Sequence, residues 1–144
     1  MEQFWAEVLR QSEWASRVLI AAVLGGVIGW EREQRPRPAG FRTFMIVSVA
    51  SCLFTILSAE AFGSVSPDRV ASSVVVGIGF IGAGTLLRSD SGDVKGLTTA
   101  ATLWASAAVG MACGRQLYLL AVLATTLLYL VLTFLKRAEP RRLR

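Results

Sequence analysis

Five long apolar stretches separated by short polar ones set the pattern of this chain, at about 14–30, 43–59, 70–87, 97–113 and 116–135. Each is continuous rather than alternating, and each approaches the ~20 residues a helix needs to cross the hydrocarbon of a bilayer. The stretches between them read as loops. Residues 31–42 contain Pro36, Pro38 and Gly40, residues 60–69 offer Ser66-Pro67 as a cap and first-turn proline, and residues 88–96 are polar. Gly114 permits a tight turn between the last two spans. Ahead of the first span, Phe4, Trp5, Val8 and Leu9 recur at helical spacing among Glu2, Glu7 and Arg10. That predicts a short amphipathic helix in the membrane interface, with Arg17 snorkelling to the headgroups just inside the span. The expected fold is all-α, a single domain over 1–144. It is a polytopic bundle of five transmembrane helices plus the short N-terminal interfacial helix.

The third span reads VASSVVVGIGFIGAGTLL from Val70 to Leu87. Glycine is costly inside a soluble helix but lets membrane helices approach backbone to backbone. Gly77 and Gly84 share one face, while Gly79 and Gly82 share the opposite one. A rod thin on two sides predicts neighbours on both and a central place in the bundle, so that leucine at Gly79 or Gly82 breaks its packing. Gly77 to Gly82 also spells GxGxxG, but a dinucleotide site needs an acidic residue about 20 positions on. Val94 to Ala138 contains neither Asp nor Glu. The glycines therefore read as packing residues.

Composition sharpens this reading. Of the 144 residues, 53% are hydrophobic and 17% charged, and the charges collect between the spans as in membrane proteins. The net charge of +5 points to a membrane surface rather than to nucleic acid. Eleven of the fifteen basic residues fall on one side of a five-span threading, which places the C-terminus in the cytoplasm and the N-terminus outside. Three glutamates in the first thirteen residues argue against a signal peptide. Histidine is absent, no serine has a base partner, and no cofactor or resident metal is expected. Cys52 and Cys113 fall at depths about 9 Å apart along their spans, at ~1.5 Å per residue, and read as unpaired small apolar residues.

No span centre holds a charged residue, which argues against an ion-coupled carrier. Two hydroxyl stripes remain, Ser48, Ser51, Thr55 and Ser58 on the second span and Thr98, Thr102 and Ser106, with Thr99 beside them, on the fourth. They form either a polar path or, the favoured reading, hydrogen bonds between helices or back to the preceding turn. Gly25 with Gly29, and Gly110 with Gly114, are GxxxG pairs that serve a dimer contact or packing within one chain. At the cytoplasmic ends, Glu31 and Arg42 come to one level, with Arg88 near. An ion pair is expected there, with separate solvated charges as the alternative. Asp90 and Asp93 read as a solvated turn capping the next helix rather than a cation site.

Gly29-Trp30-Glu31-Arg32-Glu33, Ala39-Gly40-Phe41-Arg42-Thr43, Gly77 to Thr85 and Lys95 to Trp104 occur in this order. Together they make the chain resemble the MgtC/SapB (YhiD) family of bacterial inner-membrane proteins. The resemblance implies five spans with a cytoplasmic C-terminus. It also implies a role in growth at low magnesium or under acid stress, associated with virulence in relatives, and contact with membrane partners such as ATP synthase. Its core blocks fall on Glu31, Arg42, the third-span glycines and Gly96 to Thr102. The chain is similar to the short branch that lacks a soluble C-terminal domain, and Phe44 stands where relatives often have histidine. Three readings follow. One is a non-enzymatic regulator acting by protein contact in the bilayer, as a homodimer or with another membrane protein. A second is a small channel or transporter subunit for Mg2+ or another small solute. The third is an assembly factor.

Overall fold

The computed structural model describes residues 1–34, 38–60, 67–88 and 94–135. Ser66, the Asp90–Asp93 turn and the basic tail lie outside the described residues. Among the described residues five α-helices dominate: α1 (Glu2–Glu33), α2 (Phe41–Glu60), α3 (Pro67–Ala83), α4 (Leu97–Gly114) and α5 (Tyr118–Leu130), the last continuing as a π-helical turn over Val131–Leu135. A two-residue antiparallel pairing of β1 (Leu87–Arg88) with β2 (Val94–Lys95) joins α3 to α4. Of the described helices, α1, α2 and α4 are long and apolar enough to cross a membrane, and Tyr118–Phe134 forms a shorter apolar helix.

The expected interfacial helix is not a separate element. It is the first third of α1, which runs unbroken for 32 residues. Nothing between Leu9 and Trp14 breaks a helix, since the segment Arg10-Gln11-Ser12-Glu13 contains no glycine or proline. The hydroxyls of Ser12 and Ser16 donate back to the carbonyls of Leu9 and Glu13, each at 2.7 Å, inside the helical ladder.

The third helix also departs from expectation. It stops at Ala83, and Gly84 to Leu86 form turns closed by bonds to Phe80, Gly82 and Ala83. The Thr85 hydroxyl reinforces this stop by donating to the Gly82 carbonyl at 2.7 Å. Gly96 then sits at φ 99°, a left-handed conformation that β-carbons disfavour, directly against the Thr85 carbonyl as α4 begins. Nor is α3 the centre. It packs on α4 and more lightly on α2, whereas the tightest packing joins α1, α2 and α4. Phe44, Ile28, Leu103, Cys52 and Cys113 are fully buried there.

Arg17 does not snorkel. It is buried, and its guanidinium donates to the Gly114 carbonyl at 3.2 Å, with the Glu13 carboxylate 3.7 Å away. A cation thus meets the carbonyl end of α4, where the helix dipole and orphan acceptors favour one. Gln116 adds a tie from the α4–α5 turn to Glu13 at 3.1 Å. Replacement of Arg17 by methionine is expected to lower stability by about 1–2 kcal/mol, measured as a drop in the thermal midpoint in detergent micelles.

The cysteines are free and buried, but their predicted difference in depth does not hold. A β-carbon on Gly114, the neighbour of Cys113, would lie 2.9 Å from the Cys52 carbonyl, so the two meet at one level. The two-residue earlier start of α2 accounts for about 3 Å of the difference at ~1.5 Å per residue, and counting along each helix by itself misses the offset of one helix against the other.

Candidate functional site

Glycines build the junction of α1, α2 and α4. A β-carbon on Gly25 would lie 2.6 Å from the Ser48 side chain, and one on Gly29 would lie 2.8 Å from the Phe41 backbone. A β-carbon on Gly110 would collide with the Ser48 carbonyl oxygen and lie 2.8 Å from its carbon, while one on Gly114 would lie 2.7 Å from Thr55. Both GxxxG pairs are therefore filled by α2 of the same chain, Gly25 and Gly29 from α1 and Gly110 and Gly114 from α4. Backbone contact this close gives dispersion and short interhelical hydrogen bonds that larger residues would prevent.

The hydroxyl stripes meet across this junction only in part. Ser106, fully buried, donates to the Phe44 carbonyl at 3.1 Å and so links α4 to α2. Thr55 donates to Ser51 and Thr102 to Thr98 on their own helices, at 2.8 and 2.6 Å. Ser48, Ser51 and Ser58 are buried, and Thr98 is exposed. Thr55 and Thr102 thus bond to their preceding turns and Ser106 ties the helices together. The Ser48 hydroxyl is buried without a partner among the described residues, and Gly110 seats against the Ser48 backbone.

At the other end of the junction, the structure does not bring Glu31 and Arg42 together as an internal pair. Arg42 is exposed at the start of α2. Arg88 lies in β1, opposite Val94 in the strand register. A buried cation beside Glu31 is its neighbour Arg32, 3.7 Å away, with both side chains almost inaccessible, while the Arg88 side chain lies outside the described residues. Arg32 also reaches across to α4 and donates to the Thr99 hydroxyl at 2.8 Å. Glu33 accepts the Phe41 backbone N–H at 2.8 Å and so holds the start of α2. The sequence held a signal for Arg32 and Arg17. At 3.6 residues per turn both fall on the arc of Ala21, Gly25 and Gly29 that faces the core.

The α3 glycines behave differently. Nothing lies within 4 Å of a β-carbon added at Gly77 or Gly79, and Gly82 would make only ordinary contact with Ala100 at 3.5 Å. Gly84 lies past the helix end, facing its own Ile81 carbonyl. An apolar groove of about 420 Å³ runs between α2 and α3 past Val47, Ser51, Phe54, Val74, Gly77 and Ile81. Val76 and Phe80 project outward nearby, 75% and 85% exposed. Among the described residues, no group of three His, Cys, Asp or Glu could hold a metal ion.

The MgtC family model matches residues 18–141. Protein MgtC of Brucella abortus is 47% identical over 116 residues, covering 81% of this chain and 48% of its own length. The putative magnesium transporter YhiD of Escherichia coli K12 is 40% identical over 129 residues, covering 84% of this chain and 60% of its own. An uncharacterized protein of Haemophilus influenzae is 44% identical over 122 residues, covering 78% of this chain and 51% of its own. The chain thus spans about half the length of these curated relatives. No solved structure matches.

Proposed function

The chain belongs to the MgtC family, and from that membership we propose a non-enzymatic bacterial inner-membrane protein that serves magnesium homeostasis by docking other membrane helices. It crosses the membrane five times, with the N-terminus outside and the C-terminus cytoplasmic. Its partner is a second copy or another membrane protein, of which ATP synthase is the candidate that the family resemblance nominates. Adaptation to low magnesium or acid stress is the physiological setting.

One contrast carries this reading. The glycines of α1 and α4 are consumed inside the chain, whereas Gly77 and Gly79 of α3 face open space beside projecting Val76 and Phe80. A membrane helix with small residues open to lipid is shaped for close approach by another helix. The same contrast disfavours a path along the hydroxyl stripes, because Gly110 seats against Ser48 and Ser106 is bonded across to Phe44.

The rival reading, a small Mg2+ channel or transporter subunit, draws on the name of the Escherichia coli relative. Liposomes loaded with a magnesium-sensitive dye separate the two. Docking without transport predicts Mg2+ entry at the rate of protein-free liposomes. Entry well above that rate, abolished by Ser51→Leu or Thr102→Leu, would establish the channel and sink the docking proposal.

A further inference from the structure

A second groove, of about 500 Å³, lies between the outer ends of α1 and α2. Its walls are Trp14, Val18 and Leu19 from α1 and Leu53, Leu57 and Glu60 from α2. Leu19 is 66% exposed and Leu53 45% exposed, so the groove opens sideways, onto the acyl region for a chain embedded in a bilayer. Among the described residues, Glu60 is the only charged one lining it. The Trp14 indole N–H is buried and has no partner among the described residues. Arg10 lies over the Trp14 ring at 5.2 Å and is paired with Glu7.

From this arrangement we propose that the α1–α2 groove binds one phospholipid molecule with a primary-amine headgroup. An acyl chain matches the leucine and valine walls in polarity. The Glu60 carboxylate at the last residue of α2 accepts hydrogen bonds from the ammonium, which a quaternary amine cannot donate. Arg10 is already balanced by Glu7, so among the described residues that line the groove the charge is the Glu60 carboxylate, which does not favour an anionic lipid. Charge complementarity therefore selects an amine over a purely anionic headgroup, and a partner helix carrying a lysine here would instead shield the groove from every lipid.

Trp14 is a built-in reporter because it lines the groove. Trp5, Trp30 and Trp104 are 60%, 61% and 52% exposed and can be replaced by phenylalanine with little loss of packing. The variant keeping only Trp14 is placed in liposomes of phosphatidylcholine containing a small fraction of chain-brominated phosphatidylethanolamine, phosphatidylglycerol or phosphatidylcholine. Quenching by the ethanolamine lipid is expected to exceed that by the other two about three- to fivefold at equal mole fraction, as a partly exposed charge-assisted bond allows. Glu60→Gln should erase that excess, and Glu60→Asp should keep part of it. Equal quenching by all three lipids, quenching led by phosphatidylglycerol, or a groove shielded from every brominated lipid would overturn the proposal. None of these outcomes bears on magnesium flux, so this inference and the docking function fail or stand separately.

Discussion

Alanine at Gly110 is expected to unseat α4 from α2 and lower stability by about 2–3 kcal/mol, a large effect for one methyl group. The new carbon meets the Ser48 backbone, with the carbonyl carbon at 2.8 Å and the α-carbon at 2.9 Å. Backbone cannot rotate away as a side-chain tip can. Relief must come from separating the helices, and that also stretches the bond from Ser106 to the Phe44 carbonyl. Alanine at Gly77 or Gly79 is the matching control, because nothing lies near the added carbon. There the better helix propensity is expected to leave stability unchanged or raise it by up to about 1 kcal/mol. Thermal unfolding in detergent micelles, followed by size exclusion, reads all three. If Gly110→Ala melts with wild type, or the α3 variants melt with Gly110→Ala, the assignment of the packing centre to α1, α2 and α4 is wrong.

Methionine at Arg32 is expected to cost about 3 kcal/mol, since it removes a guanidinium from beside a buried carboxylate and from its bond to Thr99. Thr99→Val removes only the hydroxyl end of that bond and should cost about 1–2 kcal/mol. Arg42→Met, at an exposed position, should be nearly silent. The same melting assay ranks these variants. An Arg42 variant as damaging as the Arg32 one would restore the pairing expected from sequence.

Helix existence was legible because each span is a continuous apolar run bounded by turn residues, a signal that survives without tertiary knowledge. The packing role of the two GxxxG pairs was also visible, but not which helix fills them. Gly25 and Gly110 both meet Ser48, a residue singled out for its hydroxyl, yet it is the serine carbonyl that Gly110 meets. Backbone approach leaves no mark in residue type beyond the glycine itself. The α3 glycines misled for the same reason, since small residues mark a capacity for close approach without saying whether the chain itself uses it. Arg17 was assigned to the headgroups by depth alone, whereas its place on the core arc put it against the end of α4. The Glu31–Arg42 pairing assumed that two charges at one level meet. Helix rotation, which turns Arg42 outward and Arg32 toward Thr99, was the missing variable.

In the proposed membrane topology, an unbroken α1 makes the amino-terminal tip mechanically answerable to the bilayer. Its 32 residues measure about 48 Å, against roughly 30 Å of hydrocarbon. With no hinge before Trp14, the leading twelve or so residues move as a stiff lever fixed to the buried half of the rod. Thinning or thickening of the surrounding lipid is met by tilt. Each 10° of tilt sweeps Met1 sideways by about 3.5 Å over that ~20 Å arm.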